Sequence, residues 1–367
     1  MNICMLADKP LPSERPTGIG VAAFNIALAL SRRGNTIHYV CRGKAETTAN
    51  INEHLTVQTI RHFSKDNLAA SLSILKKEGC NLVHVHSSAA APSLVAAWAL
   101  GRPTLFHSHS DQPLHPLGLT LIRNVEMSLS QRVITVSQST REEIVRNHRL
   151  SPGKVVVAYN GVDTDEFKPF PPPASVLRKY GLEGYNKIVL SIGTVEKKKG
   201  QARMVECLPE LLRAWPDLVY VNAGAATEPF QSRLLGRAER LGVSKAVRLL
   251  PPLPREELVA LINAAEICVH LSTREAFGLA VVEEMACAKT VIAFNLDAMP
   301  EIIEDRVDGL LVNPGSMEDL TKSMLGALGD PELAGSIGQA ARLKVSSKFT
   351  WERTASRLEE IYRGLVG

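Results

Sequence analysis

The chain has 367 residues, of which 45% are hydrophobic and 22% are charged, and its formal net charge is +4. This length predicts two domains of roughly 150 residues each, and the composition is that of a globular protein rather than a disordered one. The charge is mild and forms no concentrated basic stripe, which argues against a nucleic-acid-binding protein.

Six cysteines are spread through the sequence without a C-x-x-C pair or a metal-like cluster, which indicates reduced thiols and a cytoplasmic protein. The N-terminal residues do not have the pattern of a signal peptide, and no apolar stretch reaches the ~20 residues of a membrane-spanning helix. Residues 1–170 carry 18 Lys and Arg against 13 Asp and Glu. This excess of positive charge is compatible with peripheral association at the inner face of the membrane.

Apolar strands and helical patterns alternate along residues 1–170. A strand at 2–6 leads through the proline-rich loop 9–16 to Gly18-Ile19-Gly20, which opens a helical pattern. Further strands are predicted at 36–40, 82–86, 104–107, 132–136 and 154–158, and further helices at 66–77, 89–100, 117–130 and 139–147. This alternation predicts a parallel sheet covered on both faces, as in a Rossmann-like α/β domain.

The segment 167–175 contains four prolines and predicts an extended linker. A second alternation follows, with strands at 188–192, 218–223, 247–250, 267–271 and 290–294. We therefore predict an N-terminal domain of residues 1–170, a second Rossmann-like domain of residues 171–348 and an amphipathic C-terminal helix in residues 349–367. Ligands of such sheets bind at the carboxyl ends of the strands. The residues expected there are Gly18, His86, His109, Ser137, Gly193 and Glu275.

Two carboxylates, Glu275 and Glu283, are separated by seven residues in the stretch 272–291. A loop with Glu275 and a turn at Gly278 leads into an apolar helix, where Glu283 lies about two turns further on. Both acids are expected to face one pocket beside a helix N-terminus, which favours an anion such as a diphosphate. On spacing alone, a capped helix with two solvated acids is the competing interpretation.

Several short motifs follow one another along the whole chain, in addition to the Glu275 and Glu283 pair. They are TGIG at 17–20, LVHVHS at 82–87, VITVS at 133–137, VVVAYNGVDTDEF at 155–167, the loop around Lys199-Gly200, MPEIIED at 299–305, DGLLVNP at 308–314 and FTWERTASRLEEIY at 349–362. In order and spacing, these motifs resemble those of glycosyltransferase family 4, whose members are retaining enzymes of the GT-B fold. The resemblance implies two Rossmann-like domains that face each other across a cleft, and a C-terminal helix that crosses back to the N-terminal domain.

The resemblance also implies roles for matching residues. Of the three residues assigned to catalysis, His109 would contact the donor sugar near the reacting centre, Glu275 would bind hydroxyls of that sugar, and Lys199 would neutralise the donor phosphates. Glu283 would bind the ribose of the nucleotide. The other donor-binding residues that it implies are Gly18, Gly20, Phe277, Gly278 and Leu279.

Two positions depart from the family pattern. Thr194 stands where the family usually has an Arg that accompanies Lys199. A threonine would contribute only a hydrogen bond to the donor site, and the loss of the positive charge would cost about 2 kcal/mol of donor binding. Asp297-Ala298 replaces a common Gly-Gly pair. An acid near the donor would repel phosphate unless it faces a sugar hydroxyl or solvent.

Three histidines, His84, His86 and His107, form H-x-H patterns with their neighbours on adjacent strands. A three-histidine zinc site is an alternative on counting alone. Because the family uses no such metal, we predict that these histidines are core residues or support the site. The sequence thus predicts no metal and no cofactor, with the nucleotide sugar as co-substrate.

The leading hypothesis is a cytoplasmic, metal-independent retaining hexosyltransferase that uses a UDP-sugar, or next a GDP-sugar, as donor. The acceptor would be a hydroxyl of a sugar or of a lipid-linked molecule, in polysaccharide or glycolipid assembly. Two alternatives stay open. Thr194 and Asp297 suggest a catalytically weakened nucleotide-sugar-binding scaffold or regulator, and the fold also accommodates a non-hydrolysing sugar-nucleotide epimerase.

Overall fold

The computed structural model describes residues 1–13, 17–86, 90–110 and 117–366. Residues 14–16 of the proline-rich loop, Ser87 of the LVHVHS segment and Ala89 at the predicted helix start lie outside the described residues. The chain forms two compact units, Met1–Gly161 with Trp351–Gly367, and Val162–Thr350. Each unit is an α/β structure with its own sheet.

The first unit is built on an eight-stranded sheet with the strand order β3-β4-β2-β1-β5-β6-β7-β8. Its strands are β1 (Asn2–Ala7), β2 (Thr36–Arg42), β3 (Thr47–Asn52), β4 (Leu55–Ile60), β5 (Leu82–Val85), β6 (Thr104–Ser108), β7 (Arg132–Thr135) and β8 (Val155–Val157). Its helices before the second unit are α1 (Gly18–Arg32), α2 (Phe63–Lys77), α3 (Ala91–Ala99), α4 (Leu117–Leu129) and α5 (Gln138–His148). Strands β1, β5 and β6 are buried almost throughout, because helices cover both faces.

One edge of this sheet differs from the prediction of an entirely parallel arrangement. Strand β3 pairs antiparallel with β4, whereas β4 pairs parallel with β2. The sequence of β3, TTANIN, is polar and almost wholly exposed. A strand of this kind has no buried face, so its hydrophobic pattern gives no signal for a strand.

The second unit contains a six-stranded, wholly parallel sheet with the strand order β11-β10-β9-β12-β13-β14. Its strands are β9 (Lys187–Ile192), β10 (Leu218–Ala223), β11 (Val247–Leu250), β12 (Ile267–His270), β13 (Thr290–Phe294) and β14 (Leu310–Val312). Its helices are α6 (Ala174–Lys179), α7 (Gln201–Ala214), α8 (Phe230–Arg240), α9 (Arg255–Ala264), α10 (Leu279–Ala286), α11 (Met299–Ile302), α12 (Met317–Gly329) and α13 (Pro331–Lys348). A core that includes Tyr220, Leu208 and Phe294 lies on one face of this sheet.

The proline-rich segment begins as part of the second unit. Phe167 is fully buried, and its carbonyl oxygen accepts a hydrogen bond from Arg342 at 3.2 Å. The amide of Phe170 donates to Asn263 Oδ1 at 3.0 Å. These contacts tie residues 167–170 to the second unit, which begins at Val162, whereas the sequence predicts a boundary at residue 170.

The last helix, α14 (Trp351–Val366), belongs to the first unit and packs against α1. Its Glu359 carboxylate accepts hydrogen bonds from Arg33 at 2.9 Å and from Asn35 at 2.7 Å. Tyr362 is fully buried, with its hydroxyl 2.6 Å from His84 Nδ1. The C-terminal helix therefore reaches the core of the unit that contains the N-terminus.

Close backbone packing at the carboxyl ends of the second sheet requires glycine. A Cβ on Gly200 would lie 2.2 Å from the carbonyl oxygen of Leu271, and one on Gly224 would lie 2.3 Å from that of Gly193. Gly200 also has a φ of 74° and immediately precedes α7. This residue fixes the preceding Lys199 beside the end of β12.

Gly200→Ala should lower stability more than Gly242→Ala, a matched control. Gly242 has a φ of 72°, but no described atom lies within 4 Å of its added Cβ. The left-handed backbone costs each alanine roughly 1–2 kcal/mol, and the collision with Leu271 should add roughly another 1–3 kcal/mol at Gly200. Urea denaturation measures both variants. Equal urea midpoints for the two variants would show that the backbone around Gly200 accommodates a Cβ without added strain.

Candidate active site

The carboxyl ends of neighbouring strands bring three sequence-distant loops of the second unit together. Strand β12 pairs in parallel with both β9 and β13. The loop after β9 carries Lys199, the loop after β12 carries Glu275, and the loop after β13 carries Asp297. Because parallel strands end at one edge of the sheet, these three side chains lie in one region.

Glu275 is at the centre of this region. Its Oε2 atom lies 2.8 Å from Lys199 Nζ and 3.0 Å from His270 Nε2. His270 was not among the residues predicted from the sequence. It is the last residue of the buried strand β12, so its position at a strand end was the available signal.

The surroundings of Glu275 keep its side chain ionised. Burial acts to raise the pKa of this carboxyl, but the hydrogen bond and charge of His270, together with Lys199, hold its pKa below the usual value. The carboxylate therefore accepts hydrogen bonds at neutral pH and does not serve as a proton donor. Such a group suits recognition of hydroxyls.

Asp297 holds the backbone of the Glu275 loop. Its Oδ2 atom accepts a hydrogen bond from the Glu275 amide at 2.8 Å and lies 3.9 Å from Arg274 Nε. Asp297 has a φ of 50°, the left-handed conformation that glycine adopts most readily. The acid that departs from the family pattern is thus bonded to the protein's own backbone, and it positions Glu275.

Thr194 and the lysine run occupy the loop after β9. The carbonyl oxygen of Thr194 accepts a hydrogen bond from Gln201 Nε2 at 2.9 Å, which ties the loop to α7. Lys197 and Lys198 are exposed, whereas Lys199 is half-buried against Glu275. Of the three adjacent lysines, Lys199 is therefore the one that the fold holds at the strand ends.

The helix that follows Glu275 begins at Leu279, directly after a left-handed glycine. Gly278 has a φ of 99°, and a Cβ there would lie 2.8 Å from Met299 Cε. Phe277 is buried and packs edge-on against Phe349 with ring centroids 5.8 Å apart. The backbone at the start of α10 is consequently fixed close to Glu275, and an N-terminus of this kind carries partial positive charge.

Glu283 has a different partner. Its Oε1 atom lies 3.7 Å from Arg255 Nη1, and Arg255 also pairs with Glu166 at 2.7 Å. Burial raises the pKa of the Glu283 carboxyl to about 7, although Arg255 lowers it. Glu275 and Glu283 are thus distinct in both protonation and surroundings.

The two predicted glycines of the first unit have different surroundings. A Cβ on Gly20 would lie 3.0 Å from the Pro10 carbonyl oxygen and 3.0 Å from Thr17 Oγ1, so its local packing favours glycine. Thr17 caps α1 by accepting a hydrogen bond from the Gly20 amide at 3.1 Å. Gly18 is exposed, and no described atom would contact a Cβ there. An approach of Gly18 and Gly20 to a donor diphosphate stays a prediction.

His109 belongs to a group of four histidines at the ends of β5 and β6. Its ring stacks on His107 with centroids 4.5 Å apart, and its Nε2 atom lies 3.1 Å from His86 Nδ1. His84 completes the group, with its ring centroid 4.2 Å from that of His86. Burial lowers the pKa of His109 to about 4, so this residue is neutral at physiological pH.

Two family models match consecutive parts of the chain. The model described as Glycosyltransferase Family 4 matches residues 16–166, and the model described as Glycosyl transferases group 1 matches residues 176–344. Together they span both units. The chain belongs to glycosyltransferase family 4.

Curated relatives share about a quarter to a third of aligned residues. A D-inositol 3-phosphate glycosyltransferase of Corynebacterium aurimucosum is 30% identical over 236 residues, which cover 63% of this chain and 56% of the relative. An alpha-maltose-1-phosphate synthase of Mycolicibacterium smegmatis is 28% identical over 324 residues, which cover 81% of this chain and 82% of the relative. The chain thus spans just over half the length of the first relative.

A solved structure of the HepE protein of Anabaena, in complex with UDP, has a TM-score of 0.81 to this chain at 21% identity. The likeness covers 100% of each chain. At this identity the likeness concerns the fold. The predicted fold class, GT-B with two Rossmann-like domains, is confirmed.

Replacing Glu283 with Gln should change how stability depends on pH. The carboxyl releases its proton near pH 4.5 when unfolded and near pH 7 when folded, so its contribution to stability is lost as pH rises through 7. Gln cannot titrate, so between pH 5 and 8 the free energy of unfolding of Glu283→Gln should rise by roughly 2–3 kcal/mol relative to wild type.

Urea denaturation across this pH range measures the difference. Glu256→Gln removes one negative charge from an exposed position on α9 and serves as the control. Parallel profiles for wild type and Glu283→Gln would mean that Arg255 keeps Glu283 ionised throughout.

Proposed function

We propose that this protein transfers a hexose from a nucleotide-diphosphate sugar to an acceptor hydroxyl with retention at the anomeric carbon. The observation that carries the proposal is the Lys199–Glu275–His270 cluster, which lies at the strand ends of the second sheet, next to the start of α10. It combines an ammonium group for phosphate with a carboxylate for sugar hydroxyls.

Lys199 would stabilise the departing diphosphate. Its ammonium group has three donors, of which one is directed at Glu275, so the others are available to phosphate oxygens. The backbone at Leu279 would add the partial positive charge of a helix N-terminus. In this proposal the protein neutralises the leaving group with its own residues, without a cofactor or metal ion, and the nucleotide sugar is a co-substrate.

The remaining contacts of the donor are assigned by chemistry. The Glu275 carboxylate would accept hydrogen bonds from hydroxyls of the transferred sugar, and Glu283 from the ribose of the nucleotide. Phe277, Gly278 and Leu279 would present backbone amides to sugar and phosphate. Thr194 would supply a hydrogen bond in place of a second cation.

His109 is proposed to contact the transferred sugar near the reacting carbon. It is a neutral imidazole at the end of β6, so it can form one hydrogen bond with a hydroxyl, as donor or acceptor, without adding charge. Gly18 and Gly20 are proposed to leave room for the donor diphosphate, Gly18 because it is exposed.

Retention is proposed to follow front-face attack. The bond from the anomeric carbon to the donor phosphate oxygen breaks while the acceptor oxygen bonds to the same face of that carbon. The proton of the acceptor hydroxyl passes to the departing phosphate oxygen. No side chain then needs to act as a strong base, which suits a site where the hydrogen bond with His270 and the charge of Lys199 hold the pKa of Glu275 below its usual value.

UDP is the first candidate for the nucleotide, and GDP is the next. The HepE protein of similar fold has been solved with UDP and with UDP-glucose, which supports UDP-glucose as the first donor to test. The names of the two curated relatives contain phosphorylated small molecules, inositol phosphate and maltose phosphate, which support a hydroxylated acceptor.

A lipid-linked acceptor is supported by an exposed apolar surface on α3 and α4, which pack against each other. Trp98 is 70% exposed and Leu121 is 65% exposed. Val125 and Leu129 follow Leu121 at i+4 spacing and extend this apolar surface along α4. Near the end of α4, Lys154 Nζ donates a hydrogen bond to the Ser128 carbonyl oxygen. We propose that this apolar surface rests on an anionic membrane during polysaccharide or glycolipid assembly. None of the described helices is both long and apolar enough to span a bilayer.

Lys199→Met should reduce kcat/KM for donor turnover by about 100-fold or more, since it removes a cation from the leaving group. Glu275→Gln should reduce kcat/KM by a similar factor, because it removes the carboxylate that would bind hydroxyls of the transferred sugar. The control is Lys197→Met, which removes an exposed lysine two residues away. Nucleotide release is measured across UDP- and GDP-sugars with candidate acceptors.

The result distinguishes the alternatives. Nucleotide binding without release of nucleotide or transfer would favour the scaffold or regulator, and conversion of the donor sugar without an acceptor would favour an epimerase. Equal activity of Lys199→Met and Lys197→Met would contradict the assigned role of Lys199.

Trp98→Ser with Leu121→Ser should weaken binding to anionic phospholipid vesicles at least about tenfold, because each side chain contributes roughly 1.5–3 kcal/mol on leaving water. Co-sedimentation measures this binding. Leu343→Ser is the control, since Leu343 is 73% exposed on α13 of the second unit. Failure of the wild-type protein to sediment with vesicles would exclude the membrane surface.

A further inference from the structure

We propose that His84, His86 and His107 form a binding site for one divalent transition-metal ion. Zn²⁺, Co²⁺ and Ni²⁺ are examples of the ions that such a site would bind. One nitrogen of each imidazole lies within 4.8 Å of a nitrogen of the other two. The site would lie wholly within the first unit. It includes none of the donor-binding residues proposed in the second unit, but it adjoins His109, which is proposed to contact the transferred sugar.

The pairing of β5 with β6 explains why the histidines converge. His84 is opposite Leu105 and Val85 is opposite Phe106 in this parallel pair. Because side chains alternate along a strand, His84, His86 and His107 are directed to the same face of the sheet. The ring centroids are 4.2 Å apart for His84 and His86, and 4.9 Å apart for His86 and His107.

Four nitrogens of these three rings are buried without a hydrogen-bond partner among the described residues. His84, His86 and His107 are at most 1% exposed. Within the described ranges, no hydrogen-bond partner reaches His84 Nε2, His86 Nε2 or either nitrogen of His107. An unsatisfied buried nitrogen costs roughly 1–3 kcal/mol, and here several converge. A single ligand that accepts three lone pairs would satisfy one nitrogen of each ring.

The donor set selects the class of ion. Three imidazoles suit zinc and its first-row neighbours, whereas magnesium and calcium prefer oxygen ligands. Zinc–nitrogen bonds of about 2.0–2.1 Å place tetrahedral ligand atoms about 3.4 Å apart. The nitrogen separations, which are within 4.8 Å, would therefore close by up to about 1.4 Å when the ion binds.

The opposite ring nitrogens have contacts that suit a metal site. His84 Nδ1 lies 2.6 Å from the Tyr362 hydroxyl, and His86 Nδ1 lies 3.1 Å from His109 Nε2. If Nε2 of His84 and His86 binds the ion, each Nδ1 carries hydrogen and donates to these partners. Metal-binding histidines commonly donate their second N–H in this way, which fixes the tautomer and the ring orientation.

This arrangement connects the ion to two other parts of the first unit. Tyr362 belongs to α14, so the C-terminal helix would help orient a ligand on β5. His109 would accept from His86 and carry its own hydrogen on Nδ1. Tyr362 is thus a positioning residue, and the ion would fix the tautomer of His109.

The test uses full-length protein without a polyhistidine tag, stripped by a chelator. Titration with Co²⁺ should give visible d–d absorption that saturates at one ion per chain, and Zn²⁺ should abolish it by competition. Elemental analysis after Zn²⁺ loading and dialysis should give one zinc per chain. Mg²⁺ should not compete.

Variants locate the ion. His86→Gln and His107→Gln should each weaken Co²⁺ binding more than about 100-fold, and Tyr362→Phe about tenfold. His54→Gln, which changes a histidine of the same unit outside the cluster, should bind as wild type does. Circular dichroism of each metal-free variant checks folding.

Absence of a saturable cobalt spectrum in the wild-type protein overturns the proposal, whatever the variants do. Zinc retained at one per chain by both His86→Gln and His107→Gln also overturns it, because the ion would then lie elsewhere. A Tyr362→Phe affinity equal to that of the wild type contradicts the positioning role of Tyr362.

Discussion

The ion pair between Lys199 and Glu275 is the interaction on which the candidate site depends, and backbone constraints hold both partners. Gly200 allows the loop after β9 to touch the end of β12, which fixes Lys199. Asp297 binds the amide of Glu275 and fixes the carboxylate. Charges held in this way are in position before any ligand binds, so they stabilise a developing anion without rearrangement.

The two departures from the family pattern differ in physical meaning. Asp297 uses its carboxylate within the protein and occupies a left-handed position that otherwise suits glycine. Its carboxylate accepts a hydrogen bond from the Glu275 amide and lies near the Arg274 guanidinium. Thr194, by contrast, brings no charge that could replace the family arginine. In the proposed donor site, the effect on donor affinity would therefore depend on Thr194 and Lys199.

Buried titratable groups differ in charge between the two units. In the second unit, the hydrogen bond with His270 and the charge of Lys199 keep Glu275 ionised despite its burial, whereas burial raises the pKa of Glu283 to about 7. In the first unit, the clustered histidines are neutral because burial and their mutual repulsion lower their pKa values. Neutral imidazoles retain the lone pairs that a metal ion requires.

The sequence by itself determined the α/β alternation and the two domains, because apolar periodicity is a local property of the chain, and the resemblance of its motifs to a known family indicated the GT-B class. It missed strand β3, which buries no face, and His270, which no motif marks. Only the tertiary structure decided the partners of the site residues. Lys199 and Glu275 are 76 positions apart, and His84 and Tyr362 are 278 apart. Strand register and loop packing bring such side chains together, and neither is encoded in local periodicity.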